Sequence, residues 1–498
     1  MKFYKRTHTE ARRHGGTRRV AVIFLLVLLM MPAVLHTQEG FGFGEDDLGF
    51  SGTGTSSLSV NIGGEVSAGL TLFFDDFSSG DKTKNAQLGD ILSGQLNFET
   101  GGSLAEAVIN LKLRPVFDGS SPVEIDEAYV RAFFGHLTVL GGLRKLSWGK
   151  ADSFGPLDLI NPIDYSDLTK LIHPQSVKIA RPMIHAAWSL TSFSKLEGVF
   201  VPWFQGHKFA TSGRWAPDQI SGLAPTLVDG LKSAMLGINP LLSNYFGDLD
   251  AWQNYLDIND YYSEYRQTLE YAQAGLRFTT TVGASDLGFQ YYYGRLQRPR
   301  VLVNVDNYVR GFMLSPPQSN PNAISIDIDY NPYHHFGLDY ASVIAGFNVR
   351  AEAGANITPD LDGNDGTVEN PALVWSLGFD RDIALGINLN LQANGRFRLF
   401  DGKVSSDPLL DCEAGTDMTS TRITGIVSKK FLRDELEVKA TALWGIEDMD
   451  FLVMPSIAWS RNALGFEVSA GFFGGDKEGE LGQYRDNNFV KALLSYKF

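Results

Sequence analysis

A single cysteine, Cys412, serves all 498 residues. It excludes an internal disulfide framework, and its distance from the N-terminus excludes a lipid-anchored cysteine there. Long apolar runs are equally scarce. Only Val20 to Leu35 is unbroken, and nothing else approaches the ~18 consecutive apolar residues of a spanning helix. Basic charge is in deficit: 43 Lys and Arg face 57 Asp and Glu, a net charge of −14. No basic patch is left to meet phosphates, so a nucleic-acid partner is excluded. Signatures of chemistry are missing as well. His334 and His335 are adjacent, and adjacent strand residues face opposite sides, which makes them a poor metal pair. The pentapeptide Glu-Val-Ser-Ala-Gly occurs at 65–69 and 467–471, but neither copy is the Gly-x-Ser-x-Gly nucleophile elbow. No catalytic residue, metal ligand or cofactor is assigned.

The N-terminus sets the compartment. Lys2, Lys5, Arg6, Arg12, Arg13, Arg18 and Arg19 precede the apolar run, the plan of a secretory signal over residues 1–38. An uncleaved anchor is the alternative, and the paired arginines read as plain n-region charge. Removing those seven cations and Glu10 leaves 36 basic against 56 acidic residues, a net charge of −20. Either a solvated acidic surface or a cation-favouring pore accounts for that balance. Residues 39–56 are rich in Gly, Ser and Thr and read as a flexible periplasmic tail.

From residue 57 the chain alternates. Leu58, Val60, Ile62, Val66, Leu70, Leu72 and Phe74 share one face, with small or polar residues between. At the other end, Val490, Ala492, Leu494, Tyr496 and Phe498 form one apolar row against Lys491, Ser495 and Lys497. A strand with one greasy and one polar face suits a barrel wall between lipid and water. The same pattern predicts strands at 86–98, 103–114, 123–134, 137–147, 182–193, 195–204, 270–281, 285–297 and 323–342. It continues at 347–357, 372–381, 386–400, 420–430, 436–448, 451–460, 463–473 and 488–498. The sum is an all-β fold, a single transmembrane antiparallel β-barrel of about 18 strands. Sixteen is the main alternative, and the segment 323–342 is the weak point, because Pro332 interrupts it and could split it.

The connections sort by parity. Even-numbered ones are short turns, such as Gly135-His136 and Arg461-Asn462, while odd-numbered ones are mostly long, notably 148–181 and 205–269. Short periplasmic turns opposite long extracellular loops are the mark of single-chain outer-membrane barrels. The even count also returns the closing strand to the first, leaving no open edge.

Charged residues recur on the polar faces: Asp327 and Asp329, Arg350 and Glu352, Arg396 and Arg398. Facing lipid near the midplane, an Arg costs about 2–4 kcal/mol, so these six are candidate pore-lining residues. They either set a transverse field for solutes or brace the wall with ion pairs. The loop 148–181 supplies a second group. Trp148, Phe154, Asp158, Asn161, Pro162, Asp164 and Arg181 belong to a proline-rich, partly apolar segment, which predicts a fixed conformation. It folds inward as a constriction or sits outside as a rigid cap. In the loop 205–269, Tyr245, Leu249, Trp252 and Leu256 recur at helical spacing, either plugging the pore or packing within their own loop.

The run Glu127-Ala128-Tyr129-Val130, the strand end Gly142 to Trp148-Gly149 and the motif Asn161-Pro162-x-Asp164 resemble a family of large outer-membrane barrels of unassigned function related to alginate-export-type porins. The run Gly482 to Val490 resembles that family's ending. Leu143-Arg144 and Lys150 depart from the family's usual residues at their positions. The resemblance implies a structural role for Trp148, Asn161, Pro162 and Asp164 and no catalysis. It also implies that the closing strand is read by the barrel-assembly machinery. The expectation is therefore an outer-membrane channel, in contact with outer-membrane lipids, that passes an unspecified small solute by diffusion through a charged, loop-constricted lumen. A transporter for hydrophobic substrates, a surface adhesin and a barrel-embedded enzyme are the rival readings.

Overall fold

In a computed structural model, residues 60–498 are described apart from 75–85, 88–91, 115–120, 153, 172, 254–264, 313, 315–317 and 408–409. The export signal 1–38 and the tail 39–56 lie outside the described residues. The wall begins with β1 (Val60–Phe73), β2 (Ser93–Gly101), β3 (Ala105–Leu113), β4 (Val123–Phe134), β5 (Leu137–Arg144) and β6 (Arg181–Ser189). It continues through β7 (Ser194–Val201), β8 (Gln273–Val282), β9 (Ser285–Arg295), β10 (Pro332–Ile344), β11 (Phe347–Ile357) and β12 (Ala372–Ile383). β13 (Ile387–Arg398), β14 (Thr419–Phe431), β15 (Leu436–Gly445), β16 (Asp450–Arg461), β17 (Leu464–Gly474) and β18 (Phe489–Lys497) complete it. These 18 strands form one closed antiparallel sheet.

Closure is made by β18 on β1, in a continuous register from Glu65↔Lys497 to Phe73↔Phe489. The terminal residue joins that ladder. Phe498 N–H donates to the Gly64 carbonyl at 3.0 Å, and Gly64 N–H to the Phe498 carbonyl at 2.9 Å. Among the described residues the wall sheet is left with no open edge, as a bilayer demands.

The wall has the inside-out pattern of a membrane barrel. On β12 the outward Leu373, Trp375 and Leu377 are 47%, 38% and 55% exposed, while the inward Ala372, Val374 and Ser376 are buried. The apolar row of β18 faces outward in the same way, with Leu494, Tyr496 and Phe498 exposed. Eight tight turns close one end, among them Gly135-His136, Gly283-Ala284, Ala345-Gly346 and Asn462-Ala463. Several turn residues adopt left-handed backbone, Ala345 at φ 52° and Asn462 at φ 53°, the conformation that two-residue hairpins require. The opposite end carries the long connections.

Two of those connections build a small lobe of their own. Helices α1 (Leu223–Ile238), α2 (Phe246–Gln253) and α3 (Asp306–Gly311) pack with a hairpin of Arg300–Asn304 and Ser325–Asp329. Leu227, Val228, Leu231, Leu249, Tyr308, Ile326 and Ile328 form its core, with Tyr245 and Trp252 packed against it. The helical stripe therefore packs within the lobe; Leu256 lies outside the described residues.

This lobe also corrects the single strand expected at 323–342. The strand breaks at Tyr330-Asn331, and only β10, from Pro332, enters the barrel. The first half reads as alternating because Ile326 and Ile328 face the lobe's core, not lipid. The strand expected at 86–98 likewise begins at Ser93, with Ala86–Gln87 a two-residue partner of β1.

Candidate pore constriction

The connection from β5 to β6, residues 145–180, is drawn shut at its root by Asn161. The Asn161 side-chain carbonyl accepts the Leu146 N–H at 2.7 Å, and its amide donates to the carbonyls of Arg144 (3.2 Å) and Ile179 (2.7 Å). One amide thus ties the outgoing and returning chains together, and Ile179 N–H adds a bond to the Pro162 carbonyl at 2.8 Å. Asp164 closes the next turn by accepting the Ser166 N–H at 2.9 Å, and it pairs with Lys208 at 3.2 Å. Burial pushes the Asp164 carboxyl upward, but the Ser166 bonds and Lys208 hold it below the usual range. Lys178 pairs with Asp158 and reaches the Ser147 hydroxyl at 2.6 Å. There burial prevails, and the Asp158 carboxyl sits above the usual range despite Lys178.

Trp148 anchors the root to the wall. It is buried, meets Tyr292 edge-on at 6.5 Å and lies over Gly275, where any side chain would collide with the indole. Arg181 is fully buried and finds carbonyls instead of carboxylates: those of Ile160, Gln205 and Trp203, the second at 3.3 Å.

From that root the loop extends as two lobes toward different walls. The first, residues 149–157, is gripped by Glu352, near the middle of β11. Its carboxylate accepts the backbone N–H groups of Lys150, Ala151 (2.7 Å) and Leu157 (3.3 Å). Gly149 and Gly155 press so closely on this carboxylate that an added Cβ at either would collide with it. Further inward-facing groups hold the same lobe. Gln392 accepts the Asp152 N–H at 2.8 Å, Asn390 donates to the Asp152 carboxylate at 2.7 Å, and Arg350 pairs with Asp152 and, at 2.7 Å, with Asp380. Asn394 donates to the Phe154 carbonyl at 3.3 Å, and Gln290 to that of Leu157 at 3.0 Å.

The second lobe, residues 166–177, reaches the wall made by β15–β18 and β1. Leu168, Leu171 and Val177 enter one buried cluster with Phe73, Leu443, Leu452, Met454, Phe473 and Phe489, all inward-facing wall residues. Trp215, Leu481 and Tyr484 close it from neighbouring loops, and Phe154 packs against its side. His173 stands 3.6 Å from Glu467 on β17. The loop therefore crosses the lumen, fixed to β9–β13 on one side and to β15–β18 and β1 on the other.

The structure brings Arg350 and Glu352 together with Trp148, Phe154, Asp158, Asn161, Pro162, Asp164 and Arg181, and separates the other wall candidates from them. Arg396 and Arg398 hold down the connections 358–371 and 399–418. Arg396 pairs with Glu413 at 2.8 Å and Glu369 at 3.5 Å; Arg398 pairs with Asp401 and with Glu413 at 3.8 Å. With its side chain 2% exposed, Arg398 meets no open lumen water. Asp327 and Asp329 are not on the barrel wall at all. They lie in the lobe hairpin, where Asp329 accepts the Tyr271 hydroxyl at 2.8 Å near Arg300 at 3.7 Å.

Sequence reading missed several charged groups, Glu480 among them. Glu480, from the last connection, pairs with Arg298 at 2.6 Å and Arg422 at 2.9 Å. Arg298 foremost, then Arg422, draws its carboxyl down to about 2. Close by, Tyr165, His207 and Phe209 form an aromatic group, with Tyr165 and Phe209 stacked at 5.5 Å. Burial, then Arg298, pushes His207 down to about 3, and its ring Nδ1 accepts the Ile163 N–H at 3.0 Å. One signal could have exposed the second lobe. Phe451 to Met454 and Phe472-Phe473 are apolar on both faces, which a water-lined lumen does not require.

No protein-family model matches the chain, and no curated protein sequence matches it. Among solved structures the chain is similar to OccAB4 of Acinetobacter baumannii, at 8% identity over 88% of this chain and 98% of that one, with a TM-score of 0.45. It is similar to OccK9 (OpdG) of Pseudomonas aeruginosa at 12% identity, over 89% and 98% of the two chains, with a TM-score of 0.44. The outer membrane channel DcaP of Acinetobacter baumannii gives 10%, 89%, 97% and 0.39. The barrel described above rests on this chain's own strand registers.

Proposed function

We propose that the protein is a channel of the bacterial outer membrane, with its tight turns in the periplasm and its long loops outside. Small solutes cross it by diffusion, past the loop 145–180. The observation that carries this reading is the loop fixed across the lumen, its backbone N–H groups on the Glu352 carboxylate and its leucines on the far wall. A closed barrel of 18 strands has an interior wide enough for water, and an infolded loop narrows it. In this reading Arg350 and Glu352 act through the loop they hold, and Arg396 and Arg398 brace the outer mouth. Kinship with alginate-export-type porins is part of the proposal, on the strength of the Trp148-Gly149 and Asn161-Pro162-x-Asp164 signatures. So is recognition of β18 by the assembly machinery. The purified protein in planar bilayers tests the function. Discrete conductance steps are expected; a folded barrel that conducts nothing would remove the channel reading.

A further inference from the structure

An apolar groove of about 520 Å³ runs along the outside of the barrel, on the wall of β14–β18. The strand registers define its course. Val427 pairs with Ala440 and Ala440 with Pro455; Ala470, opposite Pro455, pairs with Val490. Ala440, Pro455 and Ala470 make a low floor. The flanking rows stand higher, with Val438, Ile457 and Val468 toward the periplasm and Val453 and Phe472 toward the loops. Pro455 has no N–H to donate, and the β16–β17 ladder is interrupted at Met454 and Pro455. Because barrel strands tilt, this row climbs the wall obliquely from the periplasmic end of β14 to the outer end of β18. Five strands at ~4.8 Å spacing give it a length of about 19 Å.

A cation marks its lower end. Lys429 lines the groove and shares the outward face of β14 with Val427 and Phe431, its Nζ 4.9 Å from the Phe431 ring. Arg381 and Arg461 point outward at the same level of β12 and β16. Arg381 stacks on Phe347 at 4.6 Å, and Arg461 stands 3.7 Å from Glu435. Among the described residues, no carboxylate occupies an outward position on any barrel strand, and Lys429 makes no ion pair.

We propose that this groove binds one phospholipid of the periplasmic leaflet, with an acyl chain along Ala440, Pro455 and Ala470 and the phosphate at Lys429. The cation decides between occupants. A second copy of the chain would bring apolar rows, more cations and a Glu435 that already faces its own Arg461, whereas a lipid brings a free anion for Lys429 at the interface. The proposal rests on the membrane orientation given above and is independent of conduction.

Native mass spectrometry of the folded protein in a mild non-ionic detergent tests it. One retained phospholipid per chain is expected. Filling the floor with Ala440→Trp and Ala470→Trp should abolish retention. Lys429→Gln, which leaves the floor intact, should weaken rebinding of added phosphatidylglycerol about fivefold, the worth of one interfacial lysine. Unchanged heat-dependent gel mobility would show that the variants fold. Equal retention by all variants, lipopolysaccharide in place of phospholipid, or a dimer that the tryptophans dissociate would each overturn the proposal.

Discussion

Replacing Glu352 by alanine should release the first lobe of the loop from the wall. The carboxylate receives three backbone N–H groups, each a charge-assisted bond with a net worth of about 1.5–3 kcal/mol. These contributions do not add fully, and lumen water can rehydrate the freed N–H groups. Arg350, Asn390 and Gln392 still hold Asp152. A net loss of about 3 kcal/mol shifts the docked-to-undocked ratio about 150-fold. Single-channel recording in planar bilayers reads the shift directly. The wild type should show a quiet level of low conductance, and Glu352→Ala should add frequent excursions to higher levels. Glu352→Gln keeps one acceptor oxygen without the charge and should fall between them. Identical noise and conductance in all three folded proteins would refute the argument that this carboxylate holds the loop.

Asn161→Ala removes three bonds at the root of the loop and should increase protease cleavage within 145–180 of the intact barrel by at least tenfold. Leu171→Asp places a charge in the apolar cluster on the far wall and should undock the second lobe, raising conductance without unfolding the barrel, as judged by heat-dependent gel mobility. Acid should loosen the loop near His207. Its value in the fold, about 3, lies below the ordinary 6.5, so the stabilisation is complete above pH 6.5 and is lost as pH falls toward 3. Glu480 adds a second loss between 4.5 and about 2. Channel noise should therefore rise below pH 6.5, and His207→Gln should remove the part of that rise above pH 4.5.

Much of the barrel was legible because its solvent dictates its pattern. Lipid outside and water inside force a period of two, so Leu373, Trp375 and Leu377 announce β12 without reference to any partner. The lobe strand 325–329 misled because Ile326 and Ile328 alternate for another reason, a small core outside the membrane. The prolines of the loop pointed to a fixed conformation and the resemblance to a structural Asn161, but the loop's destination was not legible. Nothing local to Glu352 says that its partners are peptide N–H groups some 200 residues away in the chain. Arg396 and Arg398 were open between field and brace for the same reason. Their carboxylates, Glu369, Glu413 and Asp401, lie in connections whose fold periodicity does not describe.

The most direct test shortens the loop itself. With Lys150 to Val177 replaced by a short Gly-Ser linker, the barrel should still fold, because the wall registers do not pass through these residues. Its unit conductance should rise several-fold over that of the wild type. An unchanged unit conductance would place the barrier elsewhere and contradict the claim that this loop governs passage.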